Sequence, residues 1–337
     1  MEGLAPWLPL IWAAILVVAV ALYVVLDGFD LGVGILFPWA HGETERDLMM
    51  NSVAPFWDGN ETWLVLGGGG LLVAFPTAFG IIMPALYLPV IVMLLALVFR
   101  GVSFEFRWIA KPRHRVWDWT FATGSTAAAF SQGVILGGLL EGIRVEGNAF
   151  AGGSFDWLTP FTVLTGAGVT AGYALLGATW LVMKAEGRVA ERARRQARGL
   201  LIAVIAAMGA VSLWTPFVLD HVFARWFTLP NILYLAPIPI LVALTALWAW
   251  MALARGAEKS PFMASIILFI LGFFGLVVSN YPYLVPPVLT IRQAAAVPES
   301  QLFMLVGVVL VLPLILGYTF VVYRTFRGKV RPGEGYH

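Results

Sequence analysis

Carboxylic acids stand in segments of this chain that are otherwise too apolar for water. Asp58 and Glu61 lie three residues apart in residues 51–63 (NSVAPFWDGNETW), bracketed by Trp57 and Trp63, and residues 64–75 that follow carry no charge. Three residues is nearly one helical turn, so both carboxyl groups lean toward one face. A carboxylate within a membrane helix costs roughly 2.5–3.5 kcal/mol on insertion scales and usually faces a bundle interior or a watery cavity. The pair is therefore a candidate site. A blander reading stands beside it, in which both acids sit in the headgroup zone and are favoured by the helix N-terminus.

The spacing recurs at Asp27 and Asp30 in residues 27–34 (DGFDLGVG), and Glu105 follows Arg100 in residues 99–107 (FRGVSFEFR). Chains of Asp and Glu at membrane depth suit proton relays, because a carboxyl group both accepts and donates a proton. The competing reading is a buried ion pair of Arg100 with Asp30 or Asp58 that only fixes helix packing. The glycines of 27–34 could also mimic a cation site, but two carboxylates are a weak metal signal.

Other chemistries lack their residues. With no cysteine there are no disulfides, thiolate metal sites or cysteine nucleophiles. Haem or copper in a membrane protein needs His, sometimes Met. The four histidines are His41 and His114 in loops, His221 at a span end and His337 at the terminus; none is mid-span, and no two are spaced as a ligand pair. Met83, Met93 and Met208 read as packing. No redox centre, metal site or nucleophile–base arrangement is expected in this chain. Residues 67–70 (GGGG) precede no Lys-Ser/Thr, so they are read as room for a neighbouring helix rather than a phosphate loop.

The elements that must position the acids are membrane spans. Hydrophobic residues make up 60% and charged residues 12% of the 337, against about 45–50% and 25% in soluble domains. Nine runs are long enough to cross about 30 Å of hydrocarbon: 7–37, 55–75, 79–100, 118–140, 160–183, 200–219, 231–254, 262–281 and 302–323. The expected fold is all-α, a single polytopic membrane domain over 1–337. Residues 1–6 (MEGLAP) lack the basic region of a signal peptide, so the first run is expected to stay as a span. Trp7, Trp12, Trp117, Trp119, Trp157, Trp226, Tyr281 and Tyr283 are read as interfacial belts.

With nine spans, all Lys and Arg except Arg144, Arg225 and Arg292 fall on one side. The positive-inside rule makes that side the cytoplasm, with the N-terminus outside; beside so many spans the basic runs read as topogenic, not as nucleic-acid sites. Asp27 then lies about 15 Å from the cytoplasmic end of its span at 1.5 Å per residue. Three consecutive antiparallel spans bring their polar groups to the same cytoplasmic half, which predicts an acid-lined inlet with Arg100 as counter-charge.

Together, residues 27–34, 51–63 and 99–107 resemble subunit II of the cytochrome bd-type quinol oxidases, most nearly the cyanide-insensitive branch. In the better-known branch a Gln often stands at the position of Glu61 and an Asp at that of Glu105. The resemblance implies two four-helix bundles plus a peripheral helix, in a bacterial cytoplasmic (inner) membrane. It implies a partner, subunit I, that carries b- and d-type haems, oxidises quinol and reduces O2 to water with cytoplasmic protons. Subunit II of this family normally ligates no haem. Some members hold a structural quinone, and many complexes include a small single-span subunit. The acids matching Asp58 and Glu105 are associated there with a proton entrance at the subunit interface, and those matching Asp30 and Arg100 with the same network. Glu61, Asp27 and Trp57 complete the expected pathway. Two other functions compete: a stand-alone proton- or cation-coupled transporter, whose site should lie near mid-membrane and recur in both halves, and a purely structural subunit.

Overall fold

The computed structural model describes residues 3–110 and 114–331; His337, named above, lies outside them. Its helices are α1 (Leu8–Leu36), α2 (Gly42–Asn51), α3 (Trp57–Ala74), α4 (Pro76–Ala85), α5 (Tyr87–Ile109), α6 (Arg115–Glu141), α7 (Pro160–Lys184), α8 (Gly187–Val218), α9 (Asp220–Phe227), α10 (Asn231–Leu235), α11 (Pro237–Ala254), α12 (Ser260–Asn280), α13 (Ile291–Ala294) and α14 (Pro298–Thr325). Two short hairpins interrupt them, β1 (Val145–Glu146) with β2 (Ala149–Phe150) and β3 (Tyr283–Val285) with β4 (Leu289–Thr290).

Among the described residues seven helices are long and apolar enough to cross a membrane, or eight if α3 and α4 together make one span. The 27-residue α6 is long enough, but its Ser, Thr, Gly and Gln residues lower its hydropathy. The apolar stretch after residue 64 does not divide where the sequence suggested. α3 and α4 meet at a 120° bend, and α5 begins at Tyr87 rather than residue 79. Pro76 explains the break: it opens α4 where its missing N–H costs nothing and keeps Phe75 out of the helical region, at φ −139° and ψ 60°.

Contacts fix helix directions. Gly28 and Gly32 of α1 face Tyr173 and Gly177 of α7 in the same order, so these two run parallel. α1 is antiparallel to α3, where Gly70 faces Leu16 and Gly67 faces Val20, and to α6, where Gly34 meets Ser125 and Gln132 bonds Tyr23. Of residues 67–70, Gly68 and Gly69 face open space, so no backbone closes on that run. The close approach is instead between Gly32 and Gly177: a Cβ on Gly32 would lie 1.8 Å from the Tyr173 carbonyl oxygen. α14 runs antiparallel to α3, tied by Gln301 to the Ala74 carbonyl at 3.0 Å and by Tyr323 to Asn60 at 3.1 Å. Trp12 is fully buried rather than interfacial, because its indole N–H donates to the Gln301 carbonyl at 3.0 Å.

One end of the molecule gathers the basic loops. Arg192 on α8 binds Glu45 of α2 and the Trp39 carbonyl, while Arg194 and Arg198 donate to the Ala257 and Leu253 carbonyls. Lys329 pairs with Glu258 at 2.7 Å. Burial works against charge on Glu45, but the His41 N–H and the Arg192 guanidinium outweigh it and hold that carboxyl below its ordinary range. At this end the last residue of α7, Lys184, is buried and donates to the Phe326 and Gly328 carbonyls, and Val330 N–H returns a bond to the Lys184 carbonyl at 2.8 Å.

At the other end α7 starts in a capping box. The Thr159 hydroxyl accepts from Thr162 N–H, and Thr162 accepts from Thr159 N–H. Thr159→Ala is expected to destabilise the protein by about 1 kcal/mol, seen as a small fall in the unfolding temperature of detergent-purified protein. An unchanged temperature would show that α7 is held by packing alone.

Candidate functional site

The centre of the site is Arg100, fully buried on α5. Gly124 of α6 lets α5 come close: a Cβ there would lie 2.8 Å from the Ala96 carbonyl and 3.2 Å from the Arg100 nitrogen. The guanidinium reaches across to α1 and α3. Its Nη1 lies 2.7 Å from Asp27 Oδ1 and 3.0 Å from Glu61 Oε1, and its Nη2 lies 4.0 Å from Asp30 Oδ2. Asp27 and Asp30 share a face because they are three residues apart on one helix, and both are 0% exposed; the Glu61 side chain is 26% exposed. Three of the expected acids, from α1 and α3, thus meet around one cation of α5.

Neutral polar groups hold this cluster from two sides. Asn60 donates to Asp30 Oδ2 at 2.7 Å and to the Leu26 carbonyl at 3.1 Å, while its own oxygen accepts from the Tyr323 hydroxyl. Tyr23 stands one turn before Asp27 on α1, is buried, and accepts from Gln132 Nε2 at 2.7 Å. Asn60, Tyr323 and Tyr23 escaped the sequence reading, which followed charge. The only available signals were the place of Asn60 between Asp58 and Glu61 and the four-residue step from Tyr23 to Asp27.

The other three expected residues lie apart. Asp58 and Glu105 are both exposed on the outside of this chain, not in the buried cluster. Arg100 pairs with Asp27 and Glu61, so the Arg100–Asp58 pair considered from sequence is not among the ion pairs of the described residues. Although Asp58 and Glu61 are nearly one turn apart, Asp58 turns outward and Glu61 inward. Trp57 sits between surface and interior. Its ring stacks on Phe104 at 5.0 Å and 6°, over Gly101, where a Cβ would lie 3.2 Å from the indole. Each exposed acid is thus the chain neighbour of one ring of this stack.

A second buried cation, Arg107, lies two turns further along α5. It bonds Asp118 Oδ1 at 2.7 Å and pairs with Asp47, and Arg46 lies 3.7 Å from Asp118. This group ties α2 and α6 to α5 below the cluster. Among the described residues, no group of three or more His, Cys, Asp or Glu side chains is arranged to hold a metal ion. His41 is exposed beside Glu45, and His221 packs its ring against Tyr283 at 5.4 Å.

The sequence model of the family described as cytochrome bd terminal oxidase subunit II matches residues 8–326. The chain belongs to that family. Cytochrome bd ubiquinol oxidase subunit 2 of Bacillus subtilis (strain 168) is 29% identical over 337 residues, covering 96% of this chain and 97% of that one. Cytochrome bd-I ubiquinol oxidase subunit 2 of Escherichia coli (strain K12) is 34% identical over 219 residues, which cover 62% of this chain and 58% of that relative. The fold is similar to that of a chain in the structure of bd oxidase from Geobacillus thermodenitrificans, with a TM-score of 0.76, 17% identity, and coverage of 95% of this chain and 98% of that one. In this member of the cytochrome bd subunit II family, residues 27–34, 51–63 and 99–107 each supply a residue bonded in the one polar cluster.

Proposed function

We propose that this chain is the haem-free subunit II of a bd-type quinol:oxygen oxidoreductase in an aerobic respiratory chain. It supports a subunit I that carries haems b and d, and it contributes a path by which cytoplasmic protons reach the site where O2 is reduced to water. The observation that carries the reading is the grouping of Asp27, Asp30 and Glu61 around the single cation Arg100. One guanidinium balances one carboxylate, so three carboxyl groups in a low-dielectric interior are tolerated when protons are shared among them. Groups so arranged pass a proton from one to the next. Half-buried Glu61 links the interior pair Asp27 and Asp30 to the exposed Asp58 and Glu105 beside the Trp57–Phe104 stack. Those two acids would face subunit I.

The membrane placement follows from the same residues. α1, α3, α5 and α6 read as one four-helix bundle, α7, α8, α11 and α12 as a second, and α14 as a peripheral ninth span, all in one domain of a bacterial inner membrane. The end that gathers Arg192, Arg194, Arg198 and Lys329 is the cytoplasmic end by the positive-inside rule, with the N-terminus outside. The scattered histidines do not fit haem ligation, so the haems supply electron transfer and oxygen chemistry from subunit I. A stand-alone transporter would place its acids in both halves, whereas the bonded cluster uses α1, α3 and α5 with Tyr323 of α14.

Asp58→Asn and Glu105→Gln in the assembled complex are expected to slow oxygen reduction about ten-fold or more, the scale on which a positioned proton-transfer group acts. The haem difference spectrum should stay intact. Full turnover in both variants would remove the proton-path reading and leave a scaffold. Glu61 and Glu105 also support membership of the cyanide-insensitive branch, which a cyanide titration of oxygen uptake tests.

A further inference from the structure

Three segments meet around a cavity of about 310 Å3 at the end of the molecule that gathers the basic loops: the turn after α2, the end of α7 and the chain beyond α14. Among the described residues its lining includes Phe56, Lys184, Arg327 and Lys329, and no carboxylate. Lys329 is already matched from outside the lining, by Glu258 at 2.7 Å and Glu186 at 3.7 Å. Lys184 and Arg327 are not. Lys184 is only 5% exposed. Two of its three N–H groups have described acceptors, the Phe326 and Gly328 carbonyls. Its ammonium lies 5.6 Å from the centre of the Phe56 ring and 5.1 Å from that of Trp180, and no carboxylate is close enough to act on it. Arg327 is exposed and belongs to no ion pair among the described residues.

A buried ammonium needs a counter-charge or a full set of acceptors. Carbonyls and ring faces supply partial negative charge, but one N–H of Lys184 remains to be matched. The cavity it lines is where an acceptor can enter. What fits is a group with several acceptor oxygens and more than one negative charge, because an ammonium from α7 and a guanidinium from the chain after α14 both border the space. A phosphate group has both properties, and arginine grips it through paired N–H groups. A single carboxylate would leave one of the two cations unmatched.

From this geometry we infer that the cavity binds a phosphate group, held by Lys184 from within and by Arg327 from the exposed side. A free phosphate anion and the headgroup of an anionic phospholipid both present that chemistry. The bound group ties the chain after α14 to the end of α7.

The test follows unfolding of the delipidated full complex by tryptophan fluorescence. One arm adds inorganic phosphate in detergent, at constant ionic strength made up with chloride. The other reconstitutes the complex in phosphatidylcholine vesicles with or without phosphatidylglycerol. A ligand that binds only the folded form raises the midpoint as its concentration passes Kd. Arg327→Gln should weaken the apparent phosphate affinity about two- to five-fold, the scale of an exposed ion pair. Lys184→Gln should weaken it about ten-fold or more, the scale of a lost charge-assisted hydrogen bond. Arg324→Gln, exposed and outside the lining, should leave it unchanged. Stabilisation by inorganic phosphate would support the site with the free anion sufficient; stabilisation by phosphatidylglycerol alone would support it with the headgroup as source. No stabilisation in either arm, or the same stabilisation in all three variants, would overturn the inference. Each variant is compared with itself, so a Lys184→Gln complex that starts less stable still reports, and Arg327→Gln carries the test if that complex does not assemble. The readout needs no turnover, so failure here and failure of the proton path are separate results.

Discussion

Arg100→Leu is expected to destabilise the assembled complex by about 3–5 kcal/mol, the usual cost of removing one partner from a buried ion pair. The reason lies in what remains. Asp27 and Asp30 have no exposed surface and Glu61 little, so neither water nor another described cation of the cluster replaces the guanidinium. Arg100→Lys should recover only part of the loss. The guanidinium presents Nη1 to Asp27 and Glu61 and Nη2 toward Asp30, and one ammonium cannot stand in both places. Thermal unfolding of the purified complex, followed by its haem absorbance, measures the effect. A leucine variant with an unchanged midpoint would mean that Arg100 is not the counter-charge, and the site as described would fall.

Gly32→Ala should be nearly as damaging, for a reason unrelated to charge. The added carbon would lie 1.8 Å from the Tyr173 carbonyl oxygen and 2.7 Å from the Gly177 nitrogen. Both are backbone atoms, so no side-chain rotation relieves the clash and α1 must part from α7. Overpacking typically costs about 1–3 kcal/mol and occasionally more; here the upper end is expected, because the same contact carries Tyr23 and Tyr173 toward Gln132. Gly68→Ala and Gly69→Ala form the control. Nothing lies within 4 Å of either new carbon, and alanine favours a helix by roughly 1 kcal/mol over glycine. Yield and monodispersity of the detergent-extracted complex compare the set. A Gly32→Ala complex as stable as the controls would contradict the α1–α7 junction.

How much of this was legible in the sequence follows from what carries a signal there. Asp27, Asp30, Glu61 and Arg100 were found because a charge in an apolar run announces itself, and consecutive spans must lie side by side. Asp58 was grouped with them on helical spacing, which gives an angle between side chains but not which of them faces the interior. Neutral polar residues announce nothing: Gln132 and Tyr173 look like ordinary members of α6 and α7 until their 2.7 Å bonds are seen. The bend at Pro76 sat inside an uncharged stretch, where hydropathy marks no end. Trp12 read as an interfacial anchor because its partner, Gln301, comes near the far end of the chain. Contacts across such separations have no local trace.

That last kind of contact has a consequence for how the protein is made. Among the described residues α14 is the last helix to leave the ribosome; it supplies Tyr323 to Asn60 and Gln301 to Ala74 and Trp12, and the segment after it accepts from Lys184. Until it docks, Asn60 lacks one of its anchors and the Lys184 ammonium lacks both of its carbonyl acceptors. The acid cluster is therefore laid down early in synthesis but acquires its full set of hydrogen bonds last. A chain cut short before residue 326 would contain Asp27, Asp30, Glu61 and Arg100 and still leave the Lys184 ammonium without its two carbonyl acceptors, and it is expected to be degraded faster than the full chain.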